Sequence, residues 1–209
     1  MDTTVFNPPV LAICTGVPGS GKTTLAIGYD SRGNKVGDGI LHFTNRMAYL
    51  DKDMFVSPGI EKRYGESYRS AREYAYRAID VTAECNLRLG TSVWIDATYA
   101  TEVQNPHWAD RYDIMAKQTG SKLKLIRCFV PEETNRAWLK ERGYERDLEK
   151  LNDWEGFRRR EPMRVFIPHG GIEIDRSGGL ENNVPEVIEY LRKPLSAEDD
   201  LSRFPKYLL

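Results

Sequence analysis

Apolar residues along this chain gather into short runs, and longer stretches of mixed polarity separate them. The runs Val10–Thr15, Met47–Leu50, Ser92–Asp96, Lys122–Val130 and Gly171–Asp175 have the length and apolar density of buried strands. Between and after them the pattern predicts helices over Gly21–Tyr29, Ser67–Leu89, Pro106–Thr119, Glu132–Glu141, Asp147–Arg160 and Pro185–Leu191. Strands alternating with helices predict an α/β domain built on a parallel sheet. In the second helix Tyr68, Ala71, Ala75, Ala78, Thr82, Cys85 and Leu89 fall at three- and four-residue steps. That face is expected to pack on the sheet, with Gly90 ending the helix.

Two segments break the alternation. Ser31–Arg46 is glycine-rich and long for a helix-to-strand connection, which predicts a surface excursion such as a hairpin. Arg142–Pro162 is dense in charge and predicts a lid, and after Pro194 a polar tail ends in FPKYLL. No internal repeat appears. The chain of 209 residues is 40% hydrophobic and 29% charged, so residues 1–209 read as one domain with these appendages.

Charge narrows the possible partners. With 30 Lys plus Arg against 31 Asp plus Glu, no global field draws the chain to nucleic acid or an anionic membrane, and any such contact is local. Cys14, Cys85 and Cys128 are odd in number and lack C-x-x-C spacing, so buried reduced thiols are expected rather than disulfides or a metal cluster. Neither a signal-peptide pattern nor an apolar window of about 18 residues is present. A cytoplasmic protein is the expectation, with no membrane association and no signal for oligomeric state.

The first apolar run leads into VLAICTGVPGSGKTTLAIGY, where Gly16, Gly21, Lys22 and Thr23 satisfy G-x-x-x-x-G-K-[ST]. Glycines let the backbone turn with its N–H groups facing inward, and the helix that follows presents its positive end, so Gly16, Val17, Pro18, Gly19, Ser20, Gly21, Lys22, Thr23 and Thr24 form a phosphate cradle. In such a cradle Lys22 bridges the β and γ oxygens, and Thr23 offers its hydroxyl to Mg²⁺. A GTP-binding N-K-x-D element is missing: Asn34–Gly37 reads NKVG.

Carboxylates stand at the ends of two further strands. Asp51 and Asp53 follow Met47–Leu50, and Asp96 ends Ser92–Asp96 with Thr98 just beyond. Ligands of open α/β sheets bind along that edge. Asp53 there accepts the proton of an attacking hydroxyl or caps the next segment; Asp51 is open to the same two readings. Asp96 orders metal-bound water, holds an acceptor together with Thr98, caps a helix or makes a loop hydrogen bond. In the charged segment Arg142 and Arg146 stand a helical turn apart and can stabilise a transferring phosphoryl group. The interleaved acids allow a salt-bridged helix instead. Arg158, Arg159 and Arg160 point different ways and read as a solvated face.

In the order GVPGSGKTT, LDKD, WIDATY and ERGYER, the chain resembles the small P-loop kinases of the polynucleotide-kinase-like group, with zeta toxins as more distant relatives. The resemblance spans Leu11–Glu161. It implies a three-layer P-loop NTPase fold with a helical lid, ATP and Mg²⁺ as the donor side, and transfer to a hydroxyl of a nucleic-acid or nucleoside-type acceptor. It implies Asp53 as general base, Asp96 at the metal or the acceptor, Arg142 or Arg146 as the lid arginine, and Lys22 and Thr23 at phosphate and metal. Val56 stands where polynucleotide kinases carry an arginine for the acceptor's phosphate. A hydroxymethylated base within DNA is an acceptor that would not need it. Tyr64, Tyr68, Tyr74 and Tyr76 stack a base or pack on their own domain. Two alternatives stay open: a kinase for an unrelated metabolite or antibiotic, and a nucleotide-binding regulatory protein.

Overall fold

The structure is a computed structural model that describes residues 3–55, 68–99, 102–105, 107–164, 168 and 170–194, the side chains of 68–72 excepted. Among the described residues five strands form one sheet: β1 (Val10–Thr15), β2 (Met47–Asp51), β3 (Ser92–Asp96), β4 (Lys122–Phe129) and β5 (Ile172–Asp175). Their order is β2-β3-β1-β4-β5, and every pairing is parallel. All residues of β1 and β3 are buried, which is why they read as unbroken apolar runs rather than alternating ones.

Helices cover both faces. On one side Leu11, Ile13, Val93 and Ile95 meet Ile79, Ala83 and Leu87 of α3 (Tyr68–Arg88) and Tyr112 and Met115 of α4 (Asp110–Thr119). On the other, Val10, Ala12, Trp94 and Ile126 meet Leu25 of α1 (Lys22–Ile27) and Val187 and Leu191 of α8 (Leu180–Arg192). Residues 10 and 12 face one layer and 11 and 13 the other, as a period of two requires. This is the expected three-layer α/β arrangement of a P-loop NTPase. Register brings Cys14, Asp51 and Asp96 level with one another, so β1, β2 and β3 all end along one edge of the sheet.

Several boundaries differ from the sequence reading, each for a local reason. Helix α1 stops at Ile27 because Gly28 adopts the left-handed conformation, and a hairpin follows, with Tyr29 bridging Lys35. The later part of Ser31–Arg46 is no surface excursion, because Ile40 is fully buried against α1 and α8. The chain does not continue extended past Asp51; α2 (Lys52–Phe55) starts there, capped by the Asp51 carboxylate, which accepts from Asp53 N at 2.8 Å. After α5 (Glu132–Arg142) the expected single helix is two, α6 (Glu145–Asn152) and α7 (Trp154–Arg160), separated at Asp153, whose side chain caps the second by accepting from Gly156 N.

Helix α3 packs through Ala75, which belongs to the face predicted from its small residues, and through Ile79, Ala83 and Leu87, which lie beside that face. Leu89 is 82% exposed and Cys85 is also exposed, which corrects the expectation of three buried thiols. Helix α8 begins at Leu180, a full turn before Pro185. An interior proline costs about 3 kcal/mol, yet α8 buries Leu180, Val184, Val187 and Leu191, each worth about 1.5–3 kcal/mol. Burial wins. Val56, Tyr64, the Tyr68 side chain and the tail after Pro194 lie outside what the structure describes.

Candidate active site

The glycines of the phosphate loop stand where no side chain fits. Gly16 leaves β1 with φ +143°, and a Cβ there would lie 2.2 Å from the Cys128 carbonyl oxygen. A Cβ on Gly19 would lie 2.9 Å from Leu139 of α5. Asn135, buried in α5, donates to the Pro18 carbonyl at 2.9 Å, and Ser20 N closes a turn on Val17 O at 3.1 Å. The loop is therefore held open from outside. Lys22 Nζ is buried and donates to Gly16 O at 2.9 Å and Val17 O at 3.2 Å, so its ammonium lies against the loop backbone. Gly21 precedes α1, and Thr24 lies in its first turn, where its carbonyl accepts from Gly28 N at 2.8 Å.

Thr23 joins the loop to the neighbouring strands. Its hydroxyl donates to Asp96 Oδ2 at 2.7 Å, and the Tyr49 hydroxyl donates to the same oxygen at 3.0 Å and to Asp51 Oδ2 at 3.4 Å. Asp51 and Asp96 are paired in register on β2 and β3. Burial first, then the Asp96 charge, push the Asp51 carboxyl up to about 6. Burial and the same charges raise the Tyr49 phenol above its ordinary range. Among the described residues no cluster of three or more His, Cys, Asp or Glu could chelate an ion unaided. A hydroxyl beside a carboxylate under the phosphate loop would instead let Thr23 and Asp96 hold Mg²⁺ together with phosphate oxygens.

Asp53 lies two residues further, in the first turn of α2. Its Oδ1 is 2.9 Å from Lys52 Nζ and its Oδ2 2.8 Å from an Arg146 guanidinium nitrogen. Burial works to raise its carboxyl, but the two cations outweigh it and the net shift is downward. Arg142 behaves differently from Arg146. Its guanidinium binds the Asp147 carboxylate at 2.7 and 2.5 Å, while Lys150 takes the other oxygen at 2.9 Å. Asp147 is 1% exposed, so Arg142 is clamped, whereas the Arg146 side chain is 53% exposed. Arg158 pairs with Glu132, Arg160 with Asp153 at 3.5 Å, and Arg159 is exposed, in keeping with a largely solvated face.

One cavity of about 1030 Å³ gathers these groups. Pro18 to Thr24, Ser20 excepted, line it together with Asp51, Asp53, Asp96, Thr98, Arg142 and Arg146; Gly16, Val17 and the buried Ser20 lie behind the loop. It stands at the upper end of the usual range for small-molecule sites, roughly 300–1,000 Å³. Tyr76 also lines the cavity; it stacks on Tyr99 with centroids 4.9 Å apart and donates to Thr98 O at 3.4 Å, while Tyr74 is 60% exposed.

Four residues escaped the sequence reading. Tyr49 could have been found, because alternation puts it on the same side of β2 as Asp51. Arg176, just past β5, is buried and donates to Gly21 O at 3.4 Å; its signal was a basic residue opening the turn DRSGG at a strand end. Trp138 of α5 lies 3.3 Å from a Cβ placed on Gly21. Neither Trp138 nor Asn135 carries a local signal, since both act through the packing of α5 on the loop.

No curated protein matches the chain in sequence. Solved structures match in fold. A candidate kinase from Chloroflexus aurantiacus is 21% identical with a TM-score of 0.59, over 88% of this chain and 94% of its own. The APS kinase CysC of Mycobacterium tuberculosis, in complex with AMPPNP and APS, is 17% identical with a TM-score of 0.58, over 89% and 99%. An unliganded sugar kinase from a Janibacter species is 16% identical with a TM-score of 0.55, over 88% and 95%. A family model described as AAA domain matches residues 11–160, most of the chain, and with its phosphate loop and parallel sheet this protein belongs to that family, AAA_33.

Proposed function

We propose that this chain is a kinase that transfers the γ-phosphoryl group of ATP to a hydroxyl. The observation that carries the reading is that the phosphate loop, the Thr23–Asp96 pair, the carboxylates Asp51 and Asp53 and the Arg146 guanidinium all face one cavity. In this reading the backbone from Gly16 to Thr24 and the Lys22 ammonium hold the donor's phosphates. Thr23 and Asp96 would hold Mg²⁺, which when bound would supply positive charge beside those phosphates. Asp53 orients the acceptor hydroxyl and takes its proton, and the two lid arginines stabilise negative charge on the moving group. Trp138 and Arg176 flank Gly21, where an indole face and a guanidinium suit a nucleobase.

The acceptor we favour is a small hydroxyl compound, nucleosides included. Among the described residues the acceptor side carries Asp51, Asp53 and Glu102 against Lys52 and Arg146, both of which are paired with Asp53. That balance gives no surplus of positive charge to draw a phosphodiester backbone. The kinases among the structural neighbours support the reading. A nucleic-acid hydroxyl, at a 5′ end or on a modified base, is the second reading, supported by the resemblance to polynucleotide kinases. The test is transfer from labelled ATP with Mg²⁺ to nucleosides, sugars and a metabolite pool, and to 5′-hydroxyl and hydroxymethylated DNA. Labelled small molecules that vanish with Lys22→Ala are expected. Label in DNA alone would replace the first reading with the second, and tight nucleotide binding without transfer would overturn both.

A further inference from the structure

Tyr144 occupies a junction that neither the phosphate loop nor the two carboxylate strands explain. It follows Gly143, whose left-handed backbone ends α5, and precedes α6 in extended conformation. Arg142 lies two residues before it and Arg146 two after. The Arg142 guanidinium carbon sits 4.8 Å from the Tyr144 ring centroid and that of Arg146 5.2 Å, so one ring receives both cations. Its hydroxyl points elsewhere and donates to the Ser31 carbonyl at 3.0 Å.

Ser31 belongs to a hairpin that is rigid by construction. The Asp30 carboxylate accepts from Arg32 N at 2.9 Å, Asn34 N at 2.8 Å and Asn34 Nδ2 at 3.0 Å, and Val36 N returns to Gly28 O at 2.9 Å. At its root a Cβ on Gly28 would lie 2.3 Å from Gly37 O, so the two ends cross at backbone contact. Arg32 of the hairpin also pairs with Glu141 of α5. The hairpin and the arginine-bearing helices thus line the same cavity and touch each other at two points.

We propose that Tyr144 is a positioning residue: anchored by its hydroxyl to the hairpin, its ring sets the two lid guanidiniums towards the transferring phosphoryl group. The inference rests on the phosphoryl-transfer reading above and gives the hairpin a part in it. Arg142 has a second support in buried Asp147, to which its guanidinium is bonded, while among the described residues Arg146 meets the ring and Asp53. Tyr144 therefore governs Arg146 more than Arg142.

The test compares two ligands with Mg²⁺: AMPPNP, and ADP with aluminium fluoride, which imitates the phosphoryl group in flight. Tyr144→Leu is expected to weaken the mimic about 10-fold or more while AMPPNP changes by less than about 3-fold, since only the transition state calls on the arginines. In transfer assays the same variant lowers kcat and leaves KM for ATP nearly unchanged. Tyr144→Phe keeps the ring and loses only the Ser31 bond, so the mimic weakens by about 3-fold. Asp30→Ala, which loosens the hairpin, gives the same loss, and the double variant loses no more than either alone. Equal weakening of both ligands in Tyr144→Leu, no weakening of the mimic, or losses that multiply in the double variant would overturn the proposal. Should Tyr144→Leu fail to fold, the Tyr144→Phe and Asp30→Ala cycle decides. Lys22→Ala tests the transfer reading separately: unchanged binding of both ligands there overturns that reading whatever the Tyr144 variants do.

Discussion

Arg146 and Asp53 form an ion pair at 2.8 Å that runs from the first turn of α6 to the first turn of α2, joining the charged helical segment to the chain that leaves β2. Both side chains are well exposed, at 53% and 39%, so the pair contributes about 0.2–1 kcal/mol to stability. Asp53→Asn and Arg146→Ala should therefore melt close to the parent protein. Turnover should fall by about 10²–10⁴ in Asp53→Asn, the range for loss of a proton acceptor, and by about 10²–10³ in Arg146→Ala. Initial rates alongside nucleotide affinity check this, and parental turnover in Asp53→Asn would remove it as the base.

Asp51 makes stability depend on pH in a direction unusual for a carboxylate. Its folded value of about 6 lies above the ordinary 3.8, through burial first and then Asp96. Between those values the folded chain holds a proton that the unfolded chain has released, so stability falls as pH rises from about 4 to 6, by about 1–3 kcal/mol. Asp51→Asn should lose that slope and gain on the parent as pH rises. Urea unfolding at several pH values without divalent metal gives the answer; parallel profiles would refute the assignment.

Gly16 and Gly33 both have positive φ but differ in their surroundings. Alanine at Gly33 meets nothing within 4 Å and suffers the backbone penalty alone, about 1–2 kcal/mol. At Gly16 it also strikes the Cys128 carbonyl, so Gly16→Ala should cost about 3 kcal/mol or more and abolish nucleotide binding. Thermal melts with a nucleotide titration compare the two, and equal behaviour would contradict the packing described.

The thiols should divide one against two. Cys85 is exposed, while Cys14 and Cys128 are buried with sulfurs 3.5 Å apart, and burial pushes the Cys14 thiol up. Ellman's reagent should titrate one thiol in the native protein and all three in denaturant. Rapid reaction of two or more in the native state would show that the sheet beneath the phosphate loop opens.

The strands and the phosphate loop were legible because their signals are local: a strand buried on both faces is a continuous apolar run, and the loop's glycines are dictated by backbone within a few residues. The packing face of α3 was so only in part, since Ala, Thr and Cys give weak periodicity while Ile79 and Leu87 supply the burial. Asp51 and Asp53 were found as a pair, each open to chemistry or to capping the next segment; helix α2 starts between them and makes Asp51 the cap. The Tyr144–Ser31 bond, between residues 113 apart, has no local trace, and Arg176 acts on Gly21 across 155 positions.

The boundary between Asp51 and Lys52 divides the site into parts with different freedom to vary. Asp51 and Asp96 belong to adjacent strands, whose ladder fixes their spacing at about 5 Å and ties it to the whole core. Asp53 and Lys52 ride on a four-residue helix with no buried residue. Substitutions in α2 can thus redraw what the site accepts without disturbing how it holds phosphate, so changes of substrate in related chains are expected to collect after residue 51 while the strand ends stay the same.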